Sequence, residues 1–361
     1  MRLGIRKIEV RLPVSATNAI EPAIHHVDQQ LLRPFRFSQW ARLALVGALA
    51  GEMGSGGSCH FNYPLNTQHQ PSQQTFFAQV WPAYATNHPA LFAGMVAALI
   101  VIGLVLAVLF TYIGSVMRFV LFDSVVAREC HIRKGWARRK SPGLRLFWWQ
   151  IVFGLASLAS LLIVIGIPVA CAWAVGWFAH PRDHILGLVL GGIILLVVFL
   201  ILVAFLSVIH VMTKDFVVPQ MALEDIGAVE GWRRLWLWLK ADKGGYAGYI
   251  GMKIVLAIGA AILVFIVDLI AMLVLLIPFG GLGIAAVLGG KAAGWSWNFY
   301  TIALAVVLGC IALAIFIFVL ALISVPVIVF FPAYSIYFLA QRYPPLASLL
   351  WPQSPAPVAT G

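Results

Sequence analysis

One apolar run decides the fold class: residues 90–117 are ALFAGMVAALIVIGLVLAVLFTYIGSVM, without a single Asp, Glu, Lys or Arg. A helix needs about 20 such residues to cross the hydrocarbon core of a bilayer, and this run is longer. The whole chain has a similarly apolar composition, since 62% of its 361 residues are apolar, 10% are charged, and the mean hydropathy is +0.95. A soluble fold of this length has too little interior to bury so much apolar surface. The composition therefore excludes a soluble enzyme, a disordered protein and a disulfide scaffold.

The same length criterion predicts an all-α, polytopic membrane bundle of about six transmembrane helices. The first span is the weakest, because it is short and carries Arg42 and Glu52 near its edges. The third span is interrupted by Pro168, and the fifth contains Asp268. The predicted spans are about 37–53, 90–117, 146–178, 185–212, 249–277 and 299–324, and the last continues apolar to about 339.

Lys and Arg are distributed unevenly between the connecting segments, which predicts the orientation of the chain. Seven precede or open the first span, eight lie in 118–145 and five in 213–246, whereas the alternate turns carry only Arg182 and Lys291. We therefore expect a multi-pass protein of the inner (cytoplasmic) membrane with both termini on the cytoplasmic side. The net charge of +11 is spread over these segments. Its expected counterpart is a surface of anionic lipid headgroups, and no nucleic acid.

The chain divides into a membrane domain, residues 37–342, and two flanking segments. Residues 1–36 are basic and lack the apolar core of a signal peptide. Residues 343–361 form a Pro-rich tail that we expect to be loose. The main connections within the membrane domain are a long uncharged outer loop over 54–89 and two charged inner elbows over 118–145 and 213–246.

Both inner elbows predict amphipathic helices that lie in the membrane interface. In residues 219–240, apolar side chains recur at helical spacing, charged ones fill the opposite face, and Pro219 is placed to begin the helix. A shift of 96 residues superposes the two elbows, so we infer a weak parallel repeat of a helical hairpin followed by an elbow. The aligned pairs are Arg118 with Lys214, Glu129 with Asp225, Gly135 with Gly231, Trp136 with Trp232 and Arg138 with Arg234.

Three short motifs accompany this layout. They are Arg33-Pro34-Phe35-Arg36-Phe37-x-x-Trp40, Phe216-Val217-Val218-Pro219 followed by Gly231-Trp232, and Phe331-Pro332 through Tyr337-Phe338-Leu339. With them the chain resembles a group of bacterial and archaeal six-helix membrane proteins that includes the membrane domain attached to some glycerophosphodiester phosphodiesterases. The resemblance implies the fold over most of the chain. It implies no catalytic activity, because the hydrolase part of that architecture has no counterpart in this sequence.

Asp268, a carboxylate inside the fifth predicted span, is the strongest candidate for a functional side chain within the membrane. A carboxylate deep in a span is costly there, so it should face the bundle or a cavity. Two roles stay open: a proton or cation site, and a packed carboxyl group that is hydrogen-bonded to its neighbours. Other polar residues are expected in ordinary positions, namely Arg42 and Glu52 at the two membrane interfaces, Asp123 and Asp215 as helix caps, and His210 at an interface.

The elbows also carry the basic residues that we expect to contact anionic lipid headgroups. These residues are Arg133, Lys134, Arg138, Arg139, Lys140, Arg233 and Arg234. The sequence predicts no metal and no cofactor, because it contains no Cys or His pattern with zinc or haem spacing. The nearest approach is Cys59, His60 and His69 on the outer loop, whose spacing is too irregular to predict a metal site.

Two functions follow as hypotheses. The first is a non-enzymatic structural or accessory component that packs against lipids or a larger membrane complex, with other membrane subunits as partners. It predicts a tightly packed interior and an apolar face covered by another chain. The second is a small transporter or channel, for a lipid or apolar substrate or proton-linked through Asp268, and it predicts a cavity that reaches this residue. Enzymatic activity is not expected, since no nucleophile elbow, HExxH motif or P-loop occurs.

Overall fold

The computed structural model describes residues 16–33, 35–52, 89–178, 182–292 and 299–351. Over these residues the protein is helical and contains no strand, as the sequence predicts. The helices are α1 (Ile20–Val27), α2 (Phe37–Leu49), α3 (Pro89–Ala127), α4 (Ile132–Ala174), α5 (Ile185–Met212), α6 (Val218–Glu224), α7 (Ala228–Ala241), α8 (Lys243–Ala292), α9 (Phe299–Ala340) and α10 (Pro344–Leu350). Short helical turns adjoin them at Ala16–Ala19, Asp28–Leu32 and Thr213–Val217.

Among the described residues, five helical segments are long and apolar enough to cross a membrane. Each contains at least 36 residues, against the roughly 20 that a bilayer core requires, so each extends beyond the core. They confirm a multi-pass, all-helical membrane protein. Pro168 does not interrupt the third predicted span, because α4 continues through it. The segments are Ala90–Ala127, Ile132–Ala174, Ile185–Glu224, Lys243–Pro278 and Ala303–Ala340.

The predicted first span is not among these five. Its helix, α2, has 13 residues and is about 20 Å long, which is shorter than a bilayer core of about 30 Å. The chain just after α2 lies beside the ends of α3 and α5, since Arg118 Nε donates to the carbonyl of Ala50 at 3.4 Å and Lys214 pairs with Glu52. The predicted outer loop that follows lies, except for Pro89, outside the described residues.

The two predicted elbows differ from each other. Residues 118–145 contain no separate elbow helix, because they are the adjoining ends of α3 and α4, joined by a turn in which Arg128 is left-handed (φ 58°). The second elbow does contain separate short helices, α6 and α7, and Asp225 ends α6 in the left-handed region (φ 53°). Pro219 lies in the first turn of α6, as predicted. The placement of these helices in the membrane interface stays a prediction.

The buried core of the described residues lies at one end of the long helices. We call it the charged end, because Arg118, Lys214 and Lys253 lie there. Phe216 is at its centre, and its ring centroid is 5.0 Å from that of Tyr249 and 5.9 Å from that of Phe338. The largest fully buried side chains here also include Phe119, Leu121, Met221, Tyr246, Phe331 and Tyr334.

The remaining length of the spanning helices is exposed. We call residues 90–113, 150–174, 185–208, 254–278 and 303–320 the lipid section. In the most apolar 18-residue stretch of the first four spans, no residue is buried within the chain, and in the fifth only 6% are. Side chains such as Ile194 and Leu263 are 64% and 63% exposed. The tight interior that the structural hypothesis predicts is therefore present at the charged end and not in the lipid section.

Both ends of the described chain dock onto the charged end. Tyr334 Oη donates to the carbonyl of Ala16 at 3.1 Å, and α1 packs against α9. At the other terminus, Tyr343 donates to Glu224, and Leu346 in α10 is fully buried. Residues 16–33 and 344–350 thus belong to the folded core, and the expected loose tail is helical up to Leu350.

Candidate functional site

Two buried ion pairs form the centre of the charged end. Glu52 and Asp215 are only 2% exposed, and each pairs with a lysine whose side chain is 12% exposed. Lys214 pairs with Glu52, and Lys253 pairs with Asp215. Tyr249 Oη also donates to Asp215 Oδ2 at 2.8 Å. The expectation for Asp215 was wrong, because its carboxylate binds Tyr249 and Lys253 and does not cap α6. Glu52, expected at a membrane interface, lies in this buried pair, and its depth in the membrane stays a prediction.

The local backbone explains how neighbouring residues of opposite charge reach the same core. Lys214 and Asp215 lie in the π-helical turn Thr213–Val217, which links α5 to α6. Such a turn holds more residues than an α-helical turn, and π-helical turns are frequent at functional sites. On α8, Tyr249 and Lys253 are four residues apart and so share one helix face, from which both contact Asp215. The sequence analysis did not single out Lys253.

Arg118 is the third cation of this cluster. Within 4 Å of it there is no carboxylate among the described residues, in contrast to Lys214 and Lys253. Its Nε donates to the carbonyl of Ala50 at 3.4 Å, and its Nη2 lies 3.5 Å from Nε2 of His210. Because a guanidinium group only donates hydrogen bonds, Nε2 must be the acceptor, and the imidazole is then neutral. His210 therefore lies against the cluster, and its expected place at a membrane interface stays a prediction.

A small cavity opens beside these side chains. Its volume is about 30 Å³, which is enough for one or two water molecules. The polar groups on its wall come from four different parts of the chain. Its lining includes Glu52, Arg118, Lys214, Asp215, Pro219 and Ser335. We call the three cations, the two carboxylates, His210 and this cavity the charged cluster.

The charged cluster has an excess of one positive charge, because Arg118, Lys214 and Lys253 face Glu52 and Asp215 while His210 is neutral. Buried charges are tolerated only when they are paired or compensated. An arrangement of this kind can bind an anion. It does not resemble a metal centre, since no group of three His, Cys, Asp or Glu residues that could hold a metal occurs in the described part of the chain. Cys59, His60 and His69 lie outside that part.

Asp268 lies far from the charged cluster. It is 15 residues beyond Lys253 on α8, which corresponds to about 22 Å along the helix. The side chain is half-buried, and its Oδ1 has no hydrogen-bond partner among the described residues. It does not line the cavity of the cluster. The geometry therefore does not join Asp268 to the other charged groups, and its role stays a prediction.

The seven basic residues predicted to contact lipid headgroups differ in their exposure. Arg139 is half-buried and links two elements, since it donates two hydrogen bonds to Asp123 at 2.7 and 2.8 Å and one to the carbonyl of Ala222 at 2.6 Å. Asp123 is thus an ion-pair partner and not a cap. Arg234 pairs with Glu224 and Glu230 and is half-exposed. The side chains of Arg133, Lys134, Arg138, Lys140 and Arg233 are exposed.

His26 ties the amino-terminal helix to the charged end. Its Nε2 donates to the carbonyl of Val125 at 2.8 Å, and its Nδ1 accepts from Tyr337 Oη at 3.2 Å. Burial lowers the pKa of His26 below its ordinary value of 6.5, and the nearby charge of Arg128 lowers it further. The neutral ring fits both hydrogen bonds. Sequence analysis did not single out this residue, because nothing near it in the sequence indicates its partners.

One family model matches nearly the whole chain. Residues 14–349 match the Family of unknown function (DUF7544). The chain belongs to this family. The match covers α1 to α9 and most of α10, so the charged end and the lipid section are both parts of a DUF7544 protein. No curated protein and no solved structure matches the chain. The predicted link to the membrane domain of glycerophosphodiester phosphodiesterases stays a prediction.

Proposed function

We propose that this chain is a non-enzymatic accessory component of a larger membrane complex, in which the charged end is a rigid base and the lipid section contacts other subunits and lipids. The exposure of the lipid section carries this proposal. Helices that span a membrane associate through close packing and hydrogen bonds, because lipid tails are as apolar as their side chains. Spans that make almost no such contacts within their own chain have those surfaces free for a partner.

Glycines of the lipid section support this view. A Cβ atom added at Gly103, Gly154, Gly192, Gly259 or Gly309 would meet nothing within 4 Å. Small residues let neighbouring helices approach closely in membranes. By contrast, Gly47 at the charged end packs directly on Ile328. Gly47 is therefore used for packing within the chain, whereas these five positions of the lipid section are left for another molecule.

The distribution of exposed cations supports the orientation that the sequence predicts. Exposed side chains of Arg133, Lys134, Lys140 and Arg233 lie on the segments at the charged end. Both described termini dock at the same end. By the preference of basic residues for the cytoplasmic side, the charged end faces the cytoplasm, and exposed cations on α4 and α7 contact anionic headgroups of the inner membrane.

The experiment is extraction of native membranes with a mild detergent, affinity capture of the chain and mass spectrometry of the proteins retained with it. We expect a stoichiometric set of membrane subunits. Capture of an unrelated multi-pass protein expressed at the same level is the control for detergent-micelle carry-over. A chain that elutes alone, or only as copies of itself, would contradict the accessory role.

A groove between α4 and α5 favours lipid handling as a second candidate. Its volume is about 510 Å³, and its lining includes Pro168, Trp177, Gly187, Gly191 and Leu195. An apolar groove within the membrane suits an acyl chain. If the chain is purified alone, Gly191→Leu should fill this groove and lower the transfer of a fluorescent phospholipid between leaflets of reconstituted vesicles. Equal transfer with Gly191→Leu and with Gly154→Leu, at an open position of α4, would rule this candidate out.

A further inference from the structure

The charged cluster lies where the apolar runs of three spans end. Arg118 is the first charged residue after the run 90–117 of α3, and Lys214 is the first after the apolar sequence of α5. Lys253 directly precedes the run that begins at residue 254 of α8. This is the level at which a transmembrane helix passes from hydrocarbon into the headgroup region, where lipid phosphates lie.

The cations at this level are not equivalent. Lys214 and Lys253 each have a carboxylate partner of their own, so their charges are compensated within the chain. Among the described residues Arg118 has no ion pair within 4 Å: it makes a long hydrogen bond to a backbone carbonyl, a neutral imidazole lies beside it, and the charges of Glu52 and Asp215 act on it from a greater distance. A guanidinium group presents five N–H donors in a planar fork, which matches the oxygens of a phosphate group. Arg118 also lines the cavity, so an anion there can reach it directly.

We propose that Arg118 and Lys214 form a binding site for a phosphate-bearing anion, which in the membrane is the headgroup of an anionic phospholipid. One negative charge offsets the excess positive charge of the cluster. Ser335 on the cavity wall adds a hydroxyl group that now donates to the carbonyl of Pro332 at 2.9 Å. The acyl chains of the bound lipid continue into the exposed lipid section. This goes beyond the accessory role, because it needs no partner protein.

Glu52 sets the strength of the site. Its carboxylate pairs with Lys214 and lines the same cavity, so it competes with an incoming anion for that ammonium group. The site is therefore expected to prefer an anionic lipid over a zwitterionic one, because only the former supplies a net negative charge to the cluster. The same competition predicts that neutralising Glu52 strengthens anion binding.

The test uses the full-length protein in an uncharged detergent. Phosphatidylglycerol in mixed micelles and inorganic phosphate are titrated separately, with intrinsic tryptophan fluorescence and thermal unfolding as readouts. Phosphatidylglycerol should bind the wild type more tightly than phosphatidylcholine. Arg118→Gln should weaken this binding about tenfold or more, as expected for losing a hydrogen bond to a charged group. Arg182→Gln, at an exposed cation at the opposite end of α5 from Lys214, is the matched control and should bind like the wild type.

Thermal unfolding without added lipid separates binding from folding. Arg118→Gln removes the excess positive charge of the cluster, so its midpoint without lipid should equal or exceed that of the wild type, while the increase on adding phosphatidylglycerol is lost. Glu52→Gln should bind phosphatidylglycerol more tightly than the wild type. Arg118→Lys keeps the cation but not the planar fork of donors, so it should also bind phosphatidylglycerol more weakly, and it keeps the test decisive if Arg118→Gln or Glu52→Gln fails to fold.

The two titrations distinguish a phospholipid headgroup from free inorganic phosphate as the ligand of the site. If inorganic phosphate binds tightly, depends on Arg118 and competes with the lipid, then the anion site exists and its ligand is free phosphate, not a lipid headgroup. Equal losses in Arg118→Gln and Arg182→Gln, or no gain in Glu52→Gln, would overturn the site. Neither result bears on the accessory role, because no partner chain is present in the assay.

Discussion

At the residue scale, Asp215 shows how the charged end tolerates ionic groups. Its carboxylate takes a hydrogen bond from Tyr249 and an ion pair from Lys253, so the lost hydration is replaced on two sides. A buried ion pair adds little net stability, but removing one partner leaves the other charge buried and uncompensated. The pair therefore has a large effect on stability only when it is broken.

Asp215→Asn should destabilise the protein by about 3–5 kcal/mol, because Lys253 then remains as a buried cation. The measurement is the free energy of unfolding in mixed micelles of increasing sodium dodecyl sulphate. Asp183→Asn, at an exposed position, should stay within about 0.5 kcal/mol of the wild type.

The double variant Asp215→Asn/Lys253→Met should recover much of the loss, since it removes both charges. If Asp215→Asn were as mild as Asp183→Asn, the ion pair at Asp215 would not be buried as described.

The sequence singled out Glu52, Arg118, Lys214 and Asp215 one by one but not Lys253, and it did not indicate that these residues meet. Glu52, Arg118, Lys214 and Lys253 are separated by dozens of residues, and each on its own is an ordinary charge at the end of an apolar run. One sequence signal did indicate the cluster: Arg118, Lys214 and Lys253 each lie directly at the end of an apolar run on the same predicted side of the membrane. Whether such charges face water or each other depends on helix rotation, which the runs of apolar residues do not determine.

At the element scale, the weak repeat corresponds to a shared packing contact. A Cβ atom added at Gly231 would lie 2.8 Å from Cγ1 of Val217, and one added at Gly135 would lie 3.1 Å from Cγ1 of Val120. In both units the helix with the Gly-Trp element thus packs closely on the segment that leaves the preceding span. In the second unit, Trp232 Nε1 also donates to Thr213 Oγ1 at 3.1 Å. The shared Gly-Trp element is therefore explained by close helix approach.

Gly231→Ala should destabilise the charged end by about 1–3 kcal/mol, because Val217 is β-branched and cannot easily move away. Thermal unfolding in detergent measures it. Gly248→Ala on α8, where a Cβ atom meets nothing within 4 Å, should be neutral or slightly stabilising.

Combining Gly231→Ala with Val217→Ala should recover part of the loss by making room. An equal response of Gly231→Ala and Gly248→Ala would contradict the close packing of α7 on the π-helical turn.

Docking of α1 should depend on pH through His26. Its pKa is lowered in the folded protein, whereas the undocked residue takes up a proton near pH 6.5. The docked state is thus fully stable above about pH 6.5 and loses up to about 1.4 kcal/mol for each pH unit below it, until the folded pKa is reached. Hydrogen exchange of the α1 amides, corrected for intrinsic rates, should accelerate accordingly on acidification.

Two variants isolate this effect. His26→Gln keeps a donor and an acceptor but cannot titrate, so its docking should be independent of pH in this window. His131→Gln removes a histidine whose side chain is 55% exposed and should retain the wild-type profile. A wild-type profile in His26→Gln would show that another group controls docking.

At the scale of the whole molecule, the fold class and five of the spans were predictable because long apolar runs have few alternatives to a transmembrane helix. The first predicted span is not confirmed, because α2 has only 13 residues and packs at the charged end. The Pro-rich tail failed over 344–350 because Leu346 finds a buried position there. Contacts between distant parts of the chain decide both cases, and hydropathy does not report them.

The separation into a packed charged end and an exposed lipid section has consequences for stability. The buried side chains hold the spans at one end only, so the lipid section adds little to the packing of the isolated chain. In a complex, the same surfaces would become interfaces. We propose that the charged end holds the chain together, whereas the exposed surfaces of the lipid section contact other molecules.

The most direct test is photo-cross-linking in native membranes, with a photoreactive residue placed in turn at Ile194 and Leu263 in the lipid section. We expect discrete adducts with another membrane protein at one or both positions. Leu235, which is fully buried at the charged end, is the control and should react only within the chain. Adducts with lipids alone at both Ile194 and Leu263 would contradict a lipid section that contacts other subunits.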